Sequence, residues 1–324
     1  MSQSIKNSVA VIDKCIALCY VYARMDILSV VFSVSGVKTS VLLPPSVALI
    51  ISLFTSMAGV SGAFILLPFQ MSVLGFTSPA VSATNFVYNI VAIPSGVYRY
   101  FKEGRMFWPL AWIISAGTAP GILLGYYIRV LYLPDPKAFK LFVGIVLLYI
   151  GARLIKESRG RNRPGQNITN LPADARVNTT VSTLGIVEYE FLGERYRFSV
   201  PAMFLLACIV GIISGTYGIG GGALISTFCV AVFHLPVYTI AGAALLGTFL
   251  TSLIGVFVYS VLPSSPGITT SPDWALGLLF GAGGFAGMYI GARLQKFVPQ
   301  KAIKLMLGLM ILSLALRYIT QYFL

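Results

Sequence analysis

A chain of 324 residues that is 57% hydrophobic and only 10% charged does not read as a soluble domain, in which about a quarter of residues are charged. Its formal net charge of +13 would suggest nucleic acid in a soluble protein, but no nucleic-acid module surrounds the basic residues. They flank apolar runs instead, at Arg99/Lys102/Arg105, at Arg153/Lys156/Arg159/Arg161/Arg163 and at Arg293/Lys296/Lys301/Lys304, where basic residues orient membrane spans.

Residues 1–44 form an N-terminal lead. Asp13, Lys14, Arg24 and Asp26 interrupt its apolar run, so it lacks the shape of a signal peptide. Within it, 5–34 are predicted as an amphipathic or partly buried helix and 35–45 as a turn-rich entry. Apolar runs of about 20 residues span a bilayer. The first half, 45–155, offers such runs at 45–74, 79–98, 107–131 and 138–155. A hydrophilic linker, 156–199, follows. Residues 187–198 alternate in polarity, which predicts a small hairpin. The linker carries two Asn-X-Thr sequons, at Asn167 and Asn178, and its charge assigns it to the cytoplasm, where they have no role. The second half, 200–324, offers runs at 200–233, 237–262, 274–294 and 302–323. The predicted fold class is therefore all-α: a polytopic integral protein of the cell (inner or plasma) membrane, with two homologous four-segment halves.

The duplication is visible in the residues. Lys137-Ala138-Phe139-Lys140-Leu141 is answered by Lys301-Ala302-Ile303-Lys304-Leu305, about 160 residues later. Gly125-Tyr126-Tyr127-Ile128 is answered by Gly287-Met288-Tyr289-Ile290, and Gly62-Ala63-Phe64-Ile65 by Gly222-Ala223-Leu224-Ile225. Related halves in lipid are a common build of secondary transporters, with substrate held where the halves meet.

The opening segment of each half is too long for one straight crossing and is broken by glycine. The breaks are Gly59-Val60-Ser61-Gly62 and Gly218-Ile219-Gly220-Gly221-Gly222. Glycine disfavours helix by about 1 kcal/mol relative to alanine, so these stretches should unwind. Unwound backbone survives in a bilayer only against protein or a water-filled cavity. If each opening segment returns to its starting side, all three basic clusters share one side and the halves are inverted. If each crosses fully, the halves are parallel. The positive-inside rule favours inversion.

Gly218-Ile219-Gly220-Gly221-Gly222-Ala223 fits a loose dinucleotide pattern, but an apolar helix precedes it where a strand is required. Two readings stay open: close helix packing through glycine, and backbone N–H groups at a half-helix N-terminus cradling an anion. Ser214 lies one turn before this break. The next segments carry polar stripes, with Thr84, Asn85, Tyr88 and Asn89 in one half and Thr248, Thr251 and Ser252 in the other. They serve either as interhelical glue or as donors to a polar anion.

His234, the single histidine, lies in a short connection and reads as a loop residue. Glu103 and Asp273 sit at span ends as cap or interface residues. Of the cysteines, Cys208 and Cys229 lie in apolar runs, and Cys15 and Cys19 have no companion ligands, so neither a metal site nor a disulfide framework is expected. No pairing of nucleophile and base lies at membrane depth. No catalytic residue, metal or cofactor is expected, and the chain is not read as an enzyme.

At Ser214-Gly215-Thr216-Tyr217-Gly218-Ile219-Gly220-Gly221-Gly222, followed by Ala241-Gly242-Ala243-Ala244 and Thr248, the sequence resembles the TauE/SafE family of membrane transporters. The weaker copy Ala58-Gly59-Val60-Ser61-Gly62-Ala63-Phe64, followed by Ala83-Thr84-Asn85, resembles it too, and the likeness covers about 35–324. The resemblance implies transport of small sulfur-containing or organic anions such as sulfite, thiosulfate or sulfonates. The first copy departs from the pattern, with Val60-Ser61-Gly62 in place of the glycine triplet. The expected substrate-binding residues are Gly59, Ser61, Gly62, Thr84, Asn85, Asn89, Ser214, Gly218, Gly220, Gly221, Gly222, Thr248 and Thr251. The expected partners are a small anionic substrate and membrane lipid, without nucleic acid; a homo-oligomer is compatible with the sequence. An anion channel and a non-transporting membrane scaffold are the alternatives.

Overall fold

The computed structural model describes residues 28–57, 60–102, 106–159, 177–191, 193–233, 235–263, 267–294 and 300–323. The first strand, β1 (Ser29–Val31), pairs antiparallel with β2 (Lys38–Ser40). The helix predicted over 5–34 is thus a strand and turn where it is described, and the remainder lies outside the described residues. Helices α1 (Leu43–Met57) and α2 (Ala63–Ser72) flank the first break. There follow α3 (Ala80–Lys102), α4 (Trp108–Tyr127) with a π-helical extension over Ile128–Tyr132, and α5 (Pro136–Arg159). In the linker, β3 (Asn178–Ser182), β4 (Ile186–Phe191) and β5 (Glu194–Ser199) make an antiparallel sheet, one strand more than the predicted hairpin. The second half contains α6 (Val200–Tyr217), α7 (Gly222–Val232), α8 (Val237–Val261), α9 (Trp274–Leu294) and α10 (Gln300–Phe323).

Among the described residues, six helices are long and apolar enough to cross a membrane: α4, α5, α6, α8, α9 and α10. The 23-residue α3 is long enough, but it carries the stripe of Thr84, Asn85 and Asn89, all fully buried. The chain is a multi-pass membrane protein. Exposed Leu, Phe and Met side chains such as Leu205, Phe257 and Met310 face outward, as lipid-exposed surfaces require.

Glycine contacts fix the helix directions. Gly117, Gly121 and Gly125 of α4 lie successively against Phe204, Gly211 and Gly215 of α6, so these helices run parallel. Gly283, Gly287 and Gly291 of α9 lie against Pro45, Leu49 and Leu53 of α1, which is the matching parallel seam. Likewise α9 runs parallel to α3, with Gly277 and Gly281 on Val87 and Val91, and α8 runs parallel to α4, with Gly247 on Ile114 and Thr251 on Thr118. Corresponding helices meet antiparallel: Gly255 of α8 on Phe86 of α3, Gly96 of α3 on Leu245 of α8, and Gly144 and Gly151 of α5 on Tyr318 and Gly308 of α10. Small residues let these backbones approach closely without help from water.

Because α1 and α3 both run parallel to α9, α2 must run back between them. The same holds for α7 between α6 and α8. Each opening pair is therefore a hairpin that returns to the side it left, and its break is the hairpin's tip. Each half then makes three crossings. The ends of α3, α5 and α9, with Arg99 and Lys102, Lys156 and Arg159, and Arg293, fall on one side, which also carries the linker.

The two small sheets sit at opposite ends. Tyr189 of β4 reaches a buried position with its hydroxyl 3.0 Å from that of Thr239 at the start of α8, and burial pushes its phenol above the ordinary value. Phe198 packs edge-on against Phe107 and Phe233. Asp273, only 3% exposed, caps α9 through the Leu276 N–H and accepts bonds from the Ser35 N–H and hydroxyl beside β1 and β2. It is the cap residue that its place at a span end suggested.

Candidate site at the paired helix breaks

The first break is held by side chains. Ser61 Oγ donates to Asn89 Oδ1 at 2.8 Å and accepts from the Ala63 N–H at 3.3 Å, which satisfies one orphan donor at the start of α2. Gly62 has ordinary helical φ of −69°. A Cβ there would lie 2.7 Å from the Tyr88 hydroxyl, which is itself 2.7 Å from Ser52 Oγ. Gly59 lies outside the described residues.

The second break is made of backbone. Gly218, Gly220 and Gly221 have φ of 86°, 76° and 77°, a left-handed region that side chains disfavour. Gly218 caps α6 with its N–H on the Ser214 carbonyl at 2.7 Å, and a Cβ on it would lie 2.5 Å from the Ser82 carbonyl oxygen. A Cβ on Gly222 would lie 2.1 Å from Thr248 Oγ1 and 2.9 Å from the Ala244 carbonyl. The triplet thus does pack backbone against α8. Its α7 end also has no side-chain cap, because Gly221 stands at the N-cap.

Asn85 joins the two tips. Its Nδ2 donates to the Ala63 carbonyl at 3.0 Å and to the Gly218 carbonyl at 2.8 Å. Its Oδ1 accepts from Gln70 Nε2 at 3.4 Å. The Tyr217 hydroxyl adds a second link, donating to the Phe64 carbonyl at 2.8 Å. Every polar atom of the Asn85 side chain is therefore committed to protein.

Other buried groups at the tips are not. Asn89 Nδ2 and Ser214 Oγ, on fully buried residues, have no hydrogen-bond partner among the described residues. They flank the left-handed turn: a Cβ on Gly220 would sit 3.0 Å from Asn89 Nδ2 and 3.0 Å from Ser252 Oγ, and one on Gly221 would sit 3.7 Å from Ser214 Oγ. A buried donor left unmade costs about 1–3 kcal/mol, so such groups call for a partner. Ser252 Oγ already donates to the Thr248 carbonyl at 2.7 Å, so an amide donor, the Ser214 hydroxyl and an uncapped helix N-terminus are the groups that can together hold an anion.

Of the remaining expected residues, Thr84 and Thr251 fall in the seams and Thr248 lies beside the second break. Thr84 Oγ1 donates to the Ala80 carbonyl and accepts from the Asp273 N–H, at the α3–α9 seam. Thr251 bonds Thr118 across the α4–α8 seam at 2.9 Å. Thr248 Oγ1 donates back to the Ala244 carbonyl beside Gly222. Sequence reasoning passed over Gln70, whose Oε1 is buried without a partner among the described residues, and Tyr217 and Arg129. Gln70 inside an apolar helix was the available signal. Ser252 and Tyr88 were on the stripes but not among the expected ligands. His234 and Glu103 lie outside the described residues.

Comparison with known proteins finds membrane transporters. A family model described as "Sulfite exporter TauE/SafE" matches residues 45–318. A "Probable membrane transporter protein YunE" from Bacillus subtilis (strain 168) is 24% identical over 190 residues, covering 56% of this chain. The match spans 64% of that relative, less than two thirds of its length. No solved structure matches the chain.

Proposed function

The chain belongs to the TauE/SafE family of membrane transporters, and from that premise we propose that it carries small sulfur-containing or organic oxyanions, sulfite foremost, across the membrane. The observation that carries this reading is the pair of unpartnered buried groups, Asn89 Nδ2 and Ser214 Oγ, beside the left-handed turn Gly220–Gly221. Asn89 supplies a donor from the first half. Ser214 and the uncapped start of α7 supply hydrogen-bonding groups from the second. The anion takes the place of the missing partners. Asn85 holds the two tips together and does not touch the anion.

Paired hairpin tips suit a carrier. Interactions that cross from one half to the other, at Asn85 and Tyr217, can be remade as the halves rock, while a channel needs an open path. We place the linker side in the cytoplasm, because Arg99, Lys102, Lys156, Arg159 and Arg293 close their helices there.

Proteoliposomes loaded with sulfite should take up labelled sulfite by counterflow, with a rate that saturates. Flux that neither saturates nor shows counterflow means a channel, and no flux means a scaffold. Cysteines at Leu184 and Thr269 should label from the cytoplasm and from outside, respectively; the reverse pattern would overturn the orientation.

A further inference from the structure

Arg129, in the π-helical end of α4, is the largest fully buried side chain, at 0% exposed. Its guanidinium carbon lies 3.7 Å from the centre of the Phe139 ring at the start of α5. One terminal nitrogen donates to the Leu133 carbonyl, and the other to the Thr77 carbonyl at 3.3 Å. Nε has no partner among the described residues, and none of the described hydrogen bonds links Arg129 to a carboxylate. An arginine that only braced two loops would be satisfied by these carbonyls and the ring. A guanidinium with a buried, unused edge is different. Taking a charge out of water is expensive unless an opposite charge accompanies it. Carbonyl dipoles and a ring face supply no net negative charge. The stacked ring covers a face of the fork, which leaves the in-plane Nε edge, the edge that pairs with oxyanions side by side.

Its position links it to the paired breaks. Tyr259 of α8 packs edge-on against Tyr126, three residues before Arg129, with ring centres 4.9 Å apart. The Tyr259 hydroxyl donates to the Gly215 carbonyl at 2.7 Å, and Ser82 Oγ donates to the Thr216 carbonyl at 3.1 Å. The backbone of Ser82 lies against Gly218. Hydroxyl groups thus line the interval between Arg129 and the Gly218 turn, on the side of the membrane opposite the linker. The second half has no counterpart: Gly291 stands where the duplication would put one, packed on Leu53 and Ser56.

We propose that Arg129 is a second binding site for a small oxyanion, on the route between the helix breaks and the membrane face opposite the linker. The proposal rests on the anion-transport reading of the breaks, and its test separates the two. The thermal midpoint of the full chain in detergent is followed against sulfite for wild type, Asn89→Leu, Arg129→Gln and the double variant, with equal chloride as control. The Asn89→Leu protein should keep a sulfite-dependent rise in midpoint that chloride does not reproduce. The double variant should lose it. Arg129→Lys keeps the charge without the flat fork, so in the Asn89→Leu background it should need roughly tenfold more sulfite for the same rise. It also serves if Arg129→Gln does not fold. A double variant that responds like Asn89→Leu, or a lysine variant with unchanged dependence on sulfite, overturns the Arg129 site and leaves the central site standing. A response lost only through Arg129, and untouched by Asn89→Leu, overturns the central site instead. No response in wild type overturns both.

Discussion

The two helix breaks do one job by different means. The first half closes its break with side chains: Ser61 accepts from the first N–H of α2 and ties it to Asn89, and Gly62 has ordinary helical backbone. The second half uses bare backbone, with Gly218, Gly220 and Gly221 all left-handed and Gly221 standing where the first half has Ser61. The stripe residues diverge in the same way. Asn85 gives its amide hydrogens to carbonyls of both tips and accepts from Gln70, whereas Thr248, on the second half's stripe, bonds only its own helix. The two halves therefore build their breaks differently. One supplies the clamp and a free amide donor, and the other supplies a backbone concavity.

The largest contrast should come from adding one methyl to each break. Gly218→Ala forces a left-handed alanine, costing about 1–3 kcal/mol, and drives its Cβ into the Ser82 backbone, costing about 1–3 kcal/mol more. Gly62→Ala has no backbone strain, and its Cβ meets only side-chain atoms, those of Tyr88, Ile51 and Ser52. A large drop in thermal midpoint for Gly218→Ala and a smaller one for Gly62→Ala is expected. Equal drops would show that the breaks are not different in kind.

Next in size is Asn85→Leu. It leaves the Ala63 and Gly218 carbonyls without their donor, at about 1–3 kcal/mol each. It should lower stability strongly. Weaker sulfite binding with unchanged stability would instead make Asn85 a ligand. Thr248→Val sits at the small end, below about 1 kcal/mol in stability, because the carbonyl it loses is already in a helix. A midpoint shift as large as that of Asn85→Leu would mean that the two stripes carry equal loads.

Much of this was legible in the chain. Over-long apolar segments interrupted by glycine predict broken helices, and charge bias favours hairpins that return to their starting side. Periodicity put Asn85 and Asn89 on one buried stripe. It could not say which of them would be consumed. That depends on which carbonyls the second half delivers, and Gly218 lies 133 positions from Asn85. Thr84 and Thr251 look alike as ligands in sequence, and only their partners, Asp273 and Thr118, assign them to seams. The left-handed angles at the second break follow from glycine's missing Cβ, but glycine permits many turns and the sequence does not choose one. Arg129 looked like any basic residue at a span end until the loop carbonyls and Phe139 closed over it.

The central claim is that the free Nδ2 of Asn89 waits for an anion at the meeting of the breaks. Calorimetric titration of sulfite into the purified full chain and its Asn89→Leu variant tests it directly. Loss of one hydrogen bond to a charged group is about 1.5–3 kcal/mol, so affinity should fall roughly tenfold to a hundredfold, while the unliganded midpoint falls only by the cost of the lost Ser61–Asn89 bond. Unchanged sulfite affinity in Asn89→Leu would contradict the account.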